Sequence, residues 1–201
     1  RYVAVTRFSL EGGDGVIPVP LDGRRRMVPG EIPAAARRAR DAGRTPFALC
    51  VSASSTPVGA FDPIPAAADE ARKLGLWLHV DAAHGGTALL SEKHRHRLAG
   101  VERADSVTWD PHKMMFMPAA LGTVIIRQGQ KLVGAFHQQA PYLFDAHHPE
   151  LAQFDIAKKS IACTQRADCV KLWACLKVFG ADRFAGLYEG CCAAARLLHE
   201  K

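Results

Sequence analysis

Two short polar segments carry the residue types best suited to chemistry. Asp81–Gly86 directly follows the apolar run Leu76–Val80, and Asp110–Lys113 follows the run Ser106–Trp109. Runs of this kind are typical of buried strands, and ligands of parallel sheets bind beyond the carboxyl ends of the strands. The stretch between the two segments is long enough for one strand–helix–strand excursion. The first segment begins with an aspartate and the second ends with a lysine. We therefore expect this carboxylate and this amine to lie at the same edge of the sheet.

The predicted pair consists of Asp81 and Lys113, and it has the composition that pyridoxal phosphate (PLP) chemistry requires. A lysine amine forms an imine with the cofactor aldehyde. A carboxylate beside the pyridine nitrogen keeps the ring protonated, so the ring accepts the electrons released when a bond at the substrate α-carbon breaks. Each residue alone has an ordinary interpretation, because an Asp after a strand is often a helix cap and most lysines lie on the surface. Together they predict that Lys113 binds PLP covalently and that Asp81 pairs with its ring nitrogen.

Apolar runs alternate with helical patterns along the chain, which favours an α/β domain with a mostly parallel sheet flanked by helices. The predicted strands are 16–19, 47–53, 76–80, 106–109 and 121–126. The predicted helices are 29–42, 63–74, 91–98, 165–179 and 181–200, with Gly180 between the last two. Gly43 and Gly75 occupy the usual position of a terminating glycine, and Asp62 is predicted to cap the second helix at its N-terminus.

The composition is that of an ordinary globular domain, with 48% hydrophobic and 23% charged residues among 201. No apolar run reaches the roughly 20 residues of a membrane helix, so we expect no membrane association. The net charge is +6, but acidic residues are interleaved with the basic clusters and no nucleic-acid recognition motif is present. We therefore expect no nucleic-acid partner. The six cysteines include no Cys-x-x-Cys pair, which favours a reduced, cytoplasmic protein.

Other polar and small residues have interpretations that involve no chemistry. The histidine pairs at 94/96 and 147/148 lack the carboxylate or cysteine spacing of a metal site, so no metal is predicted. Gly85 and Gly86 fit a tight turn, although small residues also let the backbone and a flat ring approach closely.

Two motifs resemble a known family. Val80–Gly86, together with Ser106–Met115, is similar to the cofactor motifs of the group II PLP-dependent amino-acid decarboxylases, in particular the glutamate and cysteine-sulfinate decarboxylase branch. The resemblance runs nearly end to end, because three further segments match the family: Ser52–Ile64, Tyr142–Phe144 and Arg166–Trp173. It implies PLP as the cofactor and decarboxylation of an L-amino acid as the reaction, with acidic substrates such as glutamate, aspartate or cysteine sulfinate among the candidates.

The resemblance also implies the large domain of PLP-dependent transferase fold type I. Residues 1–201 would form the central part of this PLP-binding domain. The upstream segment with the phosphate-binding loop and the small C-terminal domain would lie outside the chain, so the chain alone is expected to be an incomplete and inactive piece. A homodimer is implied as well.

The family pattern gives expected roles to the matching residues. Lys113 would hold the cofactor, and Asp81 would pair with the pyridinium nitrogen. Tyr142 would lie on a loop that closes over the site, by expectation the site of a partner subunit, and would protonate the carbanionic intermediate. Four further residues would contact the cofactor: Ala83 at the ring face, His112 beside the cofactor or its phosphate, and Ser55 and Thr56 along the site.

Two departures from the branch concern the substrate assignment. Asp110 stands where the branch usually has Asn, and residues 162–165 read Ala-Cys-Thr-Gln where it usually has Gln-Cys-Gly-Arg.

Two alternative functions stay open. One is another PLP reaction on the same scaffold, such as that of an aldehyde synthase or an aldolase-type lyase. The other is a catalytically silent homologue or fragment that acts only as a binding partner.

Overall fold

The computed structural model describes the backbone of residues 2–6 and all of residues 15–136, 156–160 and 165–201. The chain divides into two compact units. The first comprises Arg1–Ile125 with Asp168–Lys201, and the second comprises Ile126–Ala167. The sheet edge on which the predicted chemistry depends belongs to the first unit.

Six strands form one sheet: β1 Tyr2–Thr6, β2 Val16–Pro18, β3 Thr45–Ser52, β4 Trp77–Asp81, β5 Ser106–Trp109 and β6 Thr123–Ile126. Their order across the sheet is β2-β1-β3-β4-β5-β6. β1 pairs with β2 and with β3, β3 pairs with β4, and β4 pairs with β5, all in parallel. The carboxyl ends of β3, β4 and β5 therefore meet at one edge, and the predicted α/β fold class is confirmed.

Two helices, α1 (Ile32–Asp41) and α2 (Ile64–Leu74), pack on the sheet with faces made mostly of alanine. Their buried residues follow the i, i+3, i+4, i+7 spacing of an amphipathic helix. These are Ile32, Ala35, Ala36 and Ala39 in α1, and Ile64, Ala67, Ala68 and Ala71 in α2. The main core joins members of this set to Leu49 and Val51 of β3 and to Leu78 and Val80 of β4. Asp81 lies on the other face of β4, together with Trp77 and His79.

The remaining helices are α3 (Gln130–Ala135), in the second unit, and α4 (Cys169–His199), in the first. Short 3-10 segments lie at Pro29–Glu31, Gly86–Leu90, Arg95–Leu98, Val101–Arg103 and Ile156–Lys159. The segment Gly86–Leu90 contacts α4, and Ile156–Lys159 contacts α3 within the second unit.

Helix α4 is interrupted at Gly180, whose φ of 74° and ψ of 163° are not helical. Such a positive φ is readily adopted only by glycine. The prediction of two helices separated at this residue is confirmed, although the first begins at Cys169 and not at residue 165. None of the described helices is long and apolar enough to cross a membrane. The five cysteines in the described ranges form no disulfide: Cys50, Cys169, Cys175, Cys191 and Cys192.

The prediction that Asp62 caps α2 is wrong. The helix begins at Ile64 and has no side-chain cap, because Pro63 adopts a non-helical ψ of 79°. The Asp62 side chain is buried, and its two carboxylate oxygens accept hydrogen bonds from the backbone N–H groups of Met27 and Ser52, each at 2.7 Å. Asp62 therefore joins the loop before α1 to the end of β3.

Candidate functional site

Backbone hydrogen bonds join the segments that follow β3, β4 and β5. The N–H of Ala53 donates to the carbonyl of Asp81 at 2.7 Å, and the N–H of Gly85 donates back to the carbonyl of Ala53 at 3.1 Å. The N–H of Asp110 donates to the carbonyl of Ala83 at 3.3 Å. The two predicted chemical segments are thus fixed to each other at the sheet edge by the main chain.

Close packing explains the two glycines of the first segment. A methyl group on Gly85 would lie 2.6 Å from the Ala53 carbonyl oxygen, and one on Gly86 would lie 2.6 Å from Cδ1 of Trp109. Real Cβ atoms do not approach other atoms so closely. Both glycines are therefore required by the approach of protein segments to each other.

Asp81 is the last residue of β4, and its side chain is half-buried. Its Oδ1 atom accepts a hydrogen bond from the backbone N–H of Ala83 at 3.1 Å. Within the described part of the chain, the carboxylate forms no salt bridge with a lysine or an arginine. The carboxylate consequently keeps hydrogen-bonding capacity for a cationic partner.

Lys113 lies in the turn that follows β5. Its Nζ atom is 2.8 Å from Oδ2 of Asp110, and the lysine side chain is 37% exposed while that of Asp110 is 15% exposed. The backbone N–H of Lys113 also donates to the carbonyl of Asp110 at 2.9 Å, which closes the turn. The amine is accessible, and its counter-ion is the residue at which this chain departs from the decarboxylase branch.

His84 and Ser54 also belong to this edge, and sequence reasoning missed both as site residues. Nδ1 of His84 lies 3.1 Å from Oγ of Ser54. Burial lowers the pKa of His84, and the positive charge of Lys113 lowers it further. The imidazole is therefore neutral at neutral pH and lies within electrostatic range of the amine. The signal in the sequence was its position in the segment that follows β4.

The other predicted cofactor contacts have different local surroundings. Ser55 is buried, and its hydroxyl accepts a hydrogen bond from the backbone N–H of Ala60 at 3.2 Å, whereas Thr56 is exposed. Nδ1 of His112 lies 2.7 Å from the carbonyl oxygen of Leu121. Ser55 and His112 thus each use a polar side-chain atom to hold their own loops. Tyr142 and residues 162–164 lie outside the described residues.

Metal ligation has no geometric basis in the described ranges. Among these residues, no group of three or more His, Cys, Asp or Glu side chains is arranged to hold a metal ion. The chemistry available at the sheet edge is that of an amine, two carboxylates and a neutral imidazole.

Comparison with known proteins identifies the family. Residues 2–201 match the family model described as the pyridoxal-dependent decarboxylase conserved domain. The chain belongs to this family. The resemblance of the two sequence motifs to PLP-dependent decarboxylases is therefore confirmed.

Individual relatives are similar over most of this decarboxylase domain but over only part of their own length. Cysteine sulfinic acid decarboxylase of Rattus norvegicus is 38% identical over 191 residues, which cover 94% of this chain and 39% of the rat protein. The crystal structure of mouse CSAD has a TM-score of 0.88 at 33% identity, and the match covers 99% of this chain and 44% of the mouse chain. Oryza sativa TDC, solved with PLP and tryptamine, has a TM-score of 0.83 at 26% identity, over 92% of this chain and 41% of the rice chain. The domain spans less than half the length of these relatives.

Proposed function

We propose that the full-length protein is a PLP-dependent decarboxylase of an L-amino acid. The observation that carries the proposal is the position of Asp81 at the end of β4 and of Lys113 in the turn after the neighbouring parallel strand β5, with the two segments joined by the hydrogen bond between Asp110 and Ala83. Membership of the pyridoxal-dependent decarboxylase family supports the same reaction. Bound PLP supplies an electron sink for the electron pair left on the α-carbon when the carboxylate departs.

The side chains at the sheet edge suit this cofactor. The side chain of Lys113 is more than one third exposed, so its amine is open to an aldehyde. The Asp81 carboxylate carries a hydrogen bond from Ala83 and has no lysine or arginine partner in the described ranges, which leaves it free for a pyridinium N–H. Ala83 adds only a methyl group between the two segments. Its small size is consistent with a flat ring lying against it.

Asp110 is placed to handle the proton of the lysine amine. An ammonium group has to lose a proton before it can attack a carbonyl. Oδ2 of Asp110 lies 2.8 Å from Nζ of Lys113, which is within the reach of direct proton transfer. Asp110 therefore pairs with the charged amine when the lysine is free of the cofactor, and it can accept the proton of that amine. His84, kept neutral by burial and by Lys113, adds no second positive charge to the edge.

A relative supports the proposed substrate class, and the family resemblance supports the proposed assembly. We propose an acidic L-amino acid, because the rat relative is a cysteine sulfinic acid decarboxylase. We also propose a cytoplasmic homodimer in which Tyr142 closes over the site of the partner subunit and donates a proton to the α-carbon. His112, Ser55 and Thr56 would line the cofactor site in this arrangement.

The test uses the full-length protein incubated with PLP and then treated with borohydride. We expect mass spectrometry to find the reduced cofactor on Lys113, and we expect CO₂ release from L-cysteine sulfinate, L-aspartate or L-glutamate. Lys113→Ala and the charge-retaining Lys113→Arg should abolish both. Labelling of a different lysine, or undiminished CO₂ release by Lys113→Ala, would overturn the proposal. Aldehyde and ammonia as products would indicate an aldehyde synthase, and absence of PLP binding would indicate a silent homologue.

A further inference from the structure

A second polar cluster lies on the sheet face that also carries Asp81. Strand residues two apart point to the same face, so His79 and Asp81 share one side of β4. The register places His79 beside Ser106 and Asp81 beside Thr108 of the neighbouring strand β5. The cluster is therefore built into paired strands and not into a loop.

Both ring nitrogens of His79 are engaged by β5. Nδ1 lies 2.8 Å from Oγ of Ser106, and Nε2 lies 3.2 Å from Oγ1 of Thr108. Nε1 of Trp77 donates to the same Ser106 hydroxyl at 2.7 Å. Hydroxyl groups donate and accept, so they satisfy a neutral imidazole in either tautomer. The ring is fixed in orientation without needing a charge.

Charge on His79 would act directly on Asp81. Burial lowers the pKa of His79 below the usual value of 6.5, and the negative charge of Asp81 opposes part of this shift. The other residues that face the ring carry no charge: Ser106 and Thr108 on β5, Trp77 on β4, and the thiol of Cys50, which is the registered residue of β3. Asp81 is consequently the one ionised group in this described cluster.

We propose that His79 is a positioning residue for Asp81. Its ring is fixed by Ser106 and Thr108 and is neutral. The carboxylate that is to pair with the cofactor ring nitrogen therefore has no competing histidine cation beside it. This inference rests on the proposed function, because it assumes that Asp81 pairs with PLP. It goes beyond that function by assigning a role to a residue that does not contact the cofactor. A protonated His79 would neutralise Asp81 and weaken the cofactor's attachment.

The first experiment measures the PLP dissociation constant of the full-length protein by fluorescence quenching between pH 5 and pH 8. In the wild type, PLP affinity should fall about tenfold or more on the acid side, as a cation appears beside Asp81. His79→Gln, which cannot be protonated, should lose most of this acid dependence. His79→Lys, which places a permanent cation there, should bind PLP weakly at every pH. The matched control His96→Gln removes an exposed histidine outside the site and should keep the acid dependence.

A second measurement does not depend on cofactor loading. Nuclear magnetic resonance of the apoprotein should show that the His79 ring titrates below the usual range, and Ser106→Ala should change its tautomer signals. A His79→Gln variant that retains the wild-type acid dependence, or a folded His79→Lys variant with wild-type PLP affinity, would overturn the inference. Failure of the proposed function is separable, because it would appear as absence of the borohydride label on Lys113 of the wild type, and this result would overturn both.

Discussion

Nζ of Lys113 and Oδ2 of Asp110 form an ion pair at 2.8 Å in the turn that follows β5. The pair is local in sequence, since the two residues are the ends of one turn closed by a backbone hydrogen bond. Asp110 is also one of the two places at which the sequence departs from the pattern of the glutamate and cysteine-sulfinate decarboxylase branch. The amine that is proposed to bind the cofactor thus has a carboxylate where its relatives usually have a neutral amide.

Replacing Asp110 should change how fast the amine binds the cofactor. Asp110→Asn removes the counter-ion of Lys113 but keeps a polar side chain of the same size, so the ion pair that restrains the amine is lost. Because the lysine is 37% exposed and partly screened by solvent, we expect association of PLP with the apoenzyme to be only a few-fold faster. Stopped-flow absorbance at pH 7 measures this rate. Slower association in the variant would mean that Asp110 assists the amine by accepting its proton and not mainly by storing its charge.

Replacing Asp81 should affect both cofactor binding and turnover. Asp81→Asn cannot stabilise a protonated ring nitrogen, so the electron sink is weakened. Since each ~1.4 kcal/mol of lost stabilisation slows a reaction tenfold, we expect CO₂ release at saturating PLP to fall by about a hundredfold or more. Asp81→Glu, which keeps the charge at a longer reach, should be less impaired. A near-normal rate in Asp81→Asn would remove this carboxylate from the mechanism.

Asp62 should matter for stability and not for the chemical step. Asp62→Ala would leave the backbone N–H groups of Met27 and Ser52 without the carboxylate oxygens that now accept from them. Each unsatisfied buried donor costs about 1–3 kcal/mol, so we expect the unfolding free energy to fall by about 3 kcal/mol. Urea unfolding measures the loss. The control Asp41→Ala, at the exposed end of α1, should have a much smaller effect, and equal losses in both variants would contradict the structural role of Asp62.

Acid should destabilise the protein through two partly buried histidines. The pKa of His79 is lowered by burial, and that of His84 is lowered by burial and by Lys113. The folded state therefore binds fewer protons than the unfolded state below the usual value of 6.5. Stability is fully present above that pH and is lost as pH falls toward the lower folded pKa values.

The measurement is the melting temperature of the apoprotein at pH 7.5 and at pH 5.5. We expect a lower melting temperature at pH 5.5, and a smaller difference in a His79→Gln, His84→Gln double variant. His96→Gln, at an exposed position, is the matched control and should leave the difference unchanged. An unaltered difference in the double variant would show that other groups govern the acid response.

Several elements were predictable because their signals are local. Strand β5 has the predicted bounds, and α1 and α2 end near the glycines that were expected to terminate them. Strand β1, in contrast, was not predicted. Tyr2–Thr6 is short, and its strand conformation depends on pairing with β2 on one side and β3 on the other. Such pairing is a property of the assembled sheet and cannot be read from five residues.

In the candidate site, too, some residues could be predicted from local patterns and others could not. Asp81 and Lys113 stand out because each follows a recognisable strand. The contacts of His79 with Ser106 and Thr108 depend on the register between β4 and β5, which no local pattern specifies. Asp62 was misassigned because Asp before Pro at a helix start is a common capping pattern, whereas its buried contacts come from residues distant in the chain.

The site also depends on the parallel register of β4 and β5, so it forms only in correctly folded molecules. A slip of one residue would turn Ser106 and Thr108 to the opposite face of the sheet and would shift the turn that carries Lys113 along the edge. The carboxylate and the amine would then no longer be presented together to one small ring. A molecule that binds only the aligned form stabilises it by mass action, so a cofactor held by both residues would select correctly aligned molecules over slipped ones.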